Sequence, residues 1–188
     1  MLGQSIAAIA AGVHETDWEA VTVTIAVLCF VVAASLWWIY FDLTGAAATS
    51  TLTNRAGHRS TPLHDIYAYG HWPLTLGLAA TGVGLEGAIL HGDQPALASG
   101  IRWVLCGGVA LYLLAVSAIR VGVAGSLRKG LPWPAVAVPL TLAVGLLSRV
   151  RPVVVVAAVT VVLVSEVVVG VAKQRQDTPG TAAHEDEP

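Results

Sequence analysis

The feature that most constrains this chain is a series of apolar runs, several of them long enough to cross a membrane. Of the 188 residues, 55% are hydrophobic and only 12% are charged, whereas an ordinary globular domain carries about 25% charged residues. A helix needs about 20 apolar residues to cross the hydrocarbon core of a bilayer. The sequence therefore predicts an all-α, polytopic integral membrane helical bundle whose first partner is the lipid bilayer.

The order of the runs predicts five full transmembrane helices and a partial one at the N-terminus. The partial run is too short to span, and it lacks the charged start of a signal peptide because the first Lys or Arg is Arg55. The polar, acidic residues 174–188 are predicted to form a disordered tail. The membrane domain thus covers residues 1–173, with approximate helices at 2–13 (partial), 18–42, 65–90, 101–124, 135–147 and 152–172.

The distribution of Lys and Arg on the two sides of these helices predicts their orientation. Basic residues are enriched in cytoplasmic loops. One side carries three of them, Arg102, Arg149 and Arg151. The richer side, which includes the C-terminus, is therefore predicted to be cytoplasmic; it carries Arg55, Arg59, Arg120, Arg128, Lys129, Lys173 and Arg175.

Composition and motifs predict neither an enzyme nor a nucleic-acid partner. A net charge of −2 provides no basic surface for nucleic acid. No P-loop, GxSxG, HExxH or CxxC motif occurs in the sequence. Cys29 and Cys106 lie inside apolar runs and are interpreted as small core residues. His64 and His71 share a helix face but have no further ligands nearby in sequence, so neither a metal nor a cofactor is predicted.

The most informative stretch runs from Tyr67 to Glu86, YAYGHWPLTLGLAATGVGLE, which is apolar yet contains ionisable residues. A charge at the centre of a membrane helix costs about 2.5–3.5 kcal/mol on insertion scales. At about 100° per residue, Glu86 and Thr75 share one side of this helix, and His71 lies at its edge. With Asp42 at the end of the preceding helix, they form a candidate proton or ion path, in which Glu86 is the site and His71 a relay.

Glu86 also has a structural interpretation. Its helix and the next form a hairpin, in which Glu86 lies level with about Leu105. Arg102 is about 4.5 Å closer to the connecting loop, within reach of an arginine side chain. A structural ion pair between Glu86 and Arg102 is therefore the alternative to a titrating or cation-binding site.

Other polar groups leave similar alternatives open. His71 is either a proton acceptor, because its unperturbed pKa is near neutrality, or a hydrogen-bonded packing residue. Glu166 lies inside an apolar run, where it either reaches the cytoplasmic interface or pairs with Arg120. Pro73 has no backbone N–H and frees the carbonyl of Tyr69, which loosens the helix beside His71.

Three glycines recur every seven residues in the same helix, at Gly70, Gly77 and Gly84. Small residues on one helix face let two backbones approach closely, and in lipid such packing drives helix association. The glycines therefore predict a helix-packing face.

Three stretches of the chain resemble the bacterial low temperature requirement A (LtrA) family of membrane proteins. They are LGQSIAAI, LWWIYFD and the specific YAYGHWPLTLGLAATGVGLE, at Leu2–Ile9, Leu36–Asp42 and Tyr67–Glu86. The later helices match only in hydropathy, and the family usually has Glu at the position of Gln4. The positions that match the family's motifs are Ser5, Tyr40, Asp42, Tyr67, His71, Pro73, Gly77 and Glu86.

This resemblance implies a multi-pass protein of the bacterial inner (plasma) membrane, linked to growth in the cold. It also implies that the chain corresponds to the C-terminal part of a longer family member, so a missing N-terminal half or a second copy is a candidate partner. With the polar helix face, the leading hypothesis is a transporter or channel for protons, ions or a small solute. The alternative is a non-transporting membrane scaffold or sensor, whose glycine face binds partner helices.

Overall fold

A computed structural model describes residues 20–54, 61–124 and 134–177, together with residue 7. Apart from residue 7, side chains are described for residues 20–41, 71–121 and 136–175. The elements in these ranges are the α-helices α1 (Ala20–Asn54), α2 (Thr61–Leu90), α3 (Ser99–Ala124), α4 (Pro134–Leu146) and α5 (Pro152–Asp177). The predicted partial helix at 2–13 lies, except for residue 7, outside the described residues.

Four of the described helices are long and apolar enough to cross a membrane, which confirms the all-α membrane class. The fifth predicted span, at 135–147, is the short apolar helix α4, which has 13 residues. At 1.5 Å per residue α4 rises about 20 Å, less than the hydrocarbon core of about 30 Å. The four candidate spans are Ala20–Phe41, His71–Leu90, Ser99–Val121 and Pro152–Arg175.

Two helices extend beyond their predicted ends. α1 continues to Asn54 instead of ending at 42, and helix propensity does not explain this, because the added segment contains Gly45 and four threonines among its twelve residues. α5 continues to Asp177 instead of ending at 172, through KQRQ, which favours helix. Residues 174–177 of the predicted disordered tail are therefore helical, and 178–188 lie outside the described residues.

Successive helices run in opposite directions, so the bundle has two distinct ends. At one end, the loops 91–98 and 147–151 meet, and the Leu97 N–H donates to the Val150 carbonyl at 2.9 Å. We call this the loop end. At the opposite end, Tyr40 of α1 contacts His71 of α2, and we call it the tyrosine end. The apolar core lies between the ends and includes the buried, free Cys29 and Cys106.

The closest helix contact is between α2 and α3, where glycines bring the two backbones together. A Cβ added at Gly84 would lie 2.6 Å from the Leu105 Cα, and one at Gly77 would lie 2.7 Å from the Tyr112 backbone nitrogen. These two predicted packing glycines therefore face α3. Gly70 lies in α2, but in the part whose side chains are not described.

Candidate functional site

The structure turns Glu86 away from Arg102. Gly84, rather than Glu86, lies opposite Leu105 in the hairpin. Two residues along a helix rotate by about 200°, so Glu86 projects from the side of α2 that faces away from α3. It is half-buried there. Within the described residues, no ion pair joins Glu86 to Arg102.

Arg102 is instead engaged by backbone carbonyls at the loop end. It is buried, with 7% of its surface exposed. Its Nε donates to the Gly145 carbonyl at 2.9 Å, and its Nη1 donates to the Leu97 carbonyl at 3.1 Å. Gly145 lies in the last turn of α4, where carbonyls have no intrahelical partner and a cation is stabilising. Arg102 therefore clamps α4 and the 91–98 loop to the start of α3.

The predicted polar side of α2 lies at the outer edge of the bundle. Thr75 is half-buried, and its Oγ1 donates to the Trp72 carbonyl in the same helix at 2.9 Å. Trp72 is 77% exposed, and Ala79 is also exposed. Thr75 and Glu86 thus lie between the core and the outer surface. Asp42 lies in α1, but its side chain is outside the part that is described.

His71 is hydrogen-bonded to a tyrosine of the preceding helix. The Tyr40 Oη lies 2.8 Å from the His71 Nε2, and the two rings meet edge to face at 86° with centroids 6.1 Å apart. A hydroxyl and an imidazole can each donate or accept a proton, so the pair can act as a relay as well as a packing contact. The sequence analysis had already singled out His71 as a candidate relay, whereas Tyr40 was marked only by the family resemblance.

A second tyrosine, Tyr112, links α3 to α1 and was not singled out from the sequence. Its hydroxyl donates to the Leu36 carbonyl at 2.6 Å, and its side chain is buried. Leu36 lies one helical turn before Tyr40, so the two tyrosines lie close together and interact electrostatically. A tyrosine in the middle of an apolar run was the signal that would have marked this position.

The tyrosine end also contains an opposite pair of charges in α3 and α5. Glu166 of α5 is buried, with 5% of its surface exposed, and Arg120 of α3 is half-buried. Their charges attract each other, and Arg120 also interacts with Tyr112. The described structure thus gathers Tyr40, His71, Tyr112, Arg120 and Glu166 toward one end, while Glu86 lies near the other.

Comparison with known proteins identifies the family. The family model described as bacterial low temperature requirement A protein (LtrA) matches residues 1–168. The chain belongs to this family. Together with the spanning helices, this makes it a multi-pass integral membrane protein, as the resemblance implied. No curated protein and no solved structure matches the chain.

Three of the positions that resemble the LtrA motifs have described contacts in this chain. Tyr40 and His71 contact each other, and Gly77 packs on the α3 backbone. The side chains of Asp42 and Tyr67 lie outside the described part, as does Ser5. The LtrA-like residues therefore contribute both to a polar contact and to helix packing.

We expect the Tyr40–His71 contact to stabilise the LtrA bundle by about 1 kcal/mol, a typical net value for one hydrogen bond. The test is a double-mutant cycle with Tyr40→Phe and His71→Ala, because both residues have further interactions that single substitutions would also remove. Thermal or denaturant unfolding in detergent measures each variant. If the two substitutions are additive, the contact contributes nothing to stability.

Proposed function

We propose that this LtrA chain is a transporter or channel-like protein for protons, ions or a small solute, with Glu86 as its proton or cation site. The observation that carries this proposal concerns Arg102, the cation nearest to Glu86 along the helix axis. Its Nε and Nη1 donate to the Gly145 and Leu97 carbonyls and not to Glu86. Glu86 lies within the span His71–Leu90. A carboxylate at that depth needs water, a proton or a bound cation.

The position of Glu86 at the edge of the bundle indicates how such a path is completed. Lipid on the outer side of Glu86 and Thr75 would leave a carboxylate facing hydrocarbon. A second protein surface, from another copy or from the N-terminal half of a longer family member, would instead enclose the path. At the tyrosine end, the hydrogen-bonded Tyr40 and His71 supply a relay.

The same proposal includes the orientation and the absence of catalysis. The tyrosine end is the side richer in Lys and Arg, so we place it, with the C-terminus, in the cytoplasm of a bacterial cell. The membrane is then the bacterial inner membrane. Glu86, Tyr40 and His71 can exchange protons or attract ions, and we therefore assign the chain a transport role rather than an enzymatic one.

The scaffold or sensor alternative has less support from the contacts. It uses the glycine face of α2 to bind partner helices. Gly77 and Gly84 are already packed against the α3 backbone of the same chain, so that face is not free for another helix.

Flux through proteoliposomes tests the proposal. We expect the chain to conduct protons or a monovalent cation, and Glu86→Gln to lower that flux by at least about tenfold, equivalent to about 1.4 kcal/mol. Thermal stability is measured in parallel and is expected to stay unchanged. The matched control is Asp93→Asn, which neutralises an exposed loop acid.

Two results would contradict transport through Glu86. One is a wild-type flux no greater than that of empty liposomes for every ion tried. The other is a flux that survives Glu86→Gln while Asp93→Asn behaves identically.

A further inference from the structure

We propose that Glu166 is a second proton-binding group of this protein, buried inside the membrane-spanning part of α5. This inference rests on the proposed transport function and deepens it, since it names the proton as a ligand of the path. The binding step is simple: a carboxylate oxygen of Glu166 takes up one proton to give the neutral acid and later releases it. The protonation of Glu166 can be measured without a flux assay.

The depth of Glu166 places it within the hydrocarbon region. At 1.5 Å per residue, Glu166 lies about 21 Å along α5 from Pro152 and about 14 Å from Arg175, the two ends of that span. Only 5% of its surface is exposed. Ionisable residues inside membrane helices are rare and mark candidate functional sites, usually with a charged partner, which here is Arg120.

The surrounding charges allow both protonation states. Glu166 is 5% exposed, so its carboxylate is poorly solvated, whereas the opposite charge of Arg120 attracts that carboxylate. In the part of the chain with described side chains, no hydrogen bond holds Glu166 in either state. α4 contributes no titratable residue between 134 and 146. Among the described side chains, the other titratable or charged groups of this half of the bundle are Tyr40 of α1, His71 of α2, Tyr112 and Arg120 of α3, and Lys173 and Arg175 of α5.

The two acids lie at different depths. Glu86 is about 6 Å from Leu90, near the loop end, whereas Glu166 is about 21 Å from that end and lies toward the tyrosine end.

Infrared difference spectroscopy of the full chain in lipid nanodiscs tests this directly. A protonated buried carboxyl has a resolved C=O stretch, and we expect Glu166 to contribute such a band in the wild type as pH is lowered. Glu166→Gln is expected to remove a band equivalent to one carboxyl per chain. Glu166→Asp is expected to retain it at a shifted frequency, which covers the case in which the glutamine variant does not fold. The matched control, Glu86→Gln, leaves the Glu166 band in place.

The outcomes separate this inference from the proposed function. If the band is lost in Glu166→Gln and shifted in Glu166→Asp, the site stands even where no flux is found. A titrating band that is unchanged in both Glu166 variants overturns the site, whatever Glu86→Gln does to flux. The absence of any titrating buried carboxyl in the wild type overturns it as well.

Discussion

Replacing Gly108 by alanine is expected to destabilise the bundle by about 3 kcal/mol, the upper part of the usual range for overpacking. A Cβ at this position would lie 2.6 Å from the Thr81 backbone nitrogen and 2.9 Å from the Gly77 carbonyl oxygen. Both atoms belong to the backbone of α2, so no side chain can rotate out of the way. The two helices must separate, which also exposes the buried hydroxyl of Thr81 that donates to Gly77.

The neighbouring glycine provides a matched control. A Cβ at Gly107 meets nothing within 4 Å, and alanine is a better helix former than glycine by up to about 1 kcal/mol. We therefore expect Gly107→Ala to be neutral or slightly stabilising in the same helix. Unfolding in detergent, by heat or by denaturant, compares the two variants. Equal stabilities for Gly107→Ala and Gly108→Ala would contradict the close backbone contact between α2 and α3.

Replacing Arg102 by methionine is expected to cost about 3 kcal/mol of stability. Hydrogen bonds from a charged donor contribute about 1.5–3 kcal/mol each, and a buried acceptor left without a donor costs about 1–3 kcal/mol. Methionine keeps the unbranched stem of the side chain but donates no hydrogen bond to the Gly145 and Leu97 carbonyls. Part of this loss is offset because a buried charge is also removed. Arg151→Met, at an exposed position of the 147–151 loop, is the control and is expected to change stability by less than about 0.5 kcal/mol.

A second comparison distinguishes the carbonyl clamp from an ion pair with Glu86. If Arg102 donates only to the carbonyls, Glu86→Gln and Arg102→Met act independently. Their effects on the free energy of unfolding then add to within about 0.5 kcal/mol. If the two residues formed an ion pair, the double variant would be more stable than the sum predicts, since neither charge would be left alone. A favourable coupling energy well above about 0.5 kcal/mol would show that Glu86 and Arg102 form an ion pair. The observation behind the proposed transport site would then be lost.

Several features of this protein were determined by the sequence alone because they depend on local composition. The length and apolarity of each run are enough to predict an all-α membrane protein, since a bilayer demands about 20 apolar residues per span. The start of α5 at Pro152 and the end of α2 at Leu90 agree with the predicted boundaries. The seven-residue spacing of Gly77 and Gly84 likewise indicated a packing face, because a helix returns to nearly the same side after two turns.

The tertiary structure determined the orientation of each polar side chain and the residues that it contacts. Placing Gly84 rather than Glu86 opposite Leu105 changes the hairpin register by only two residues, yet it turns Glu86 through about 200° and away from Arg102. The Gly145 carbonyl that accepts from Arg102 lies 43 residues away, at the end of the short helix α4.

The Tyr40–His71 contact likewise joins two helices, at a separation of 31 residues. Composition and periodicity describe one helix at a time. The rotation of neighbouring helices, and the carbonyls left free where one of them ends, follow only from their packing.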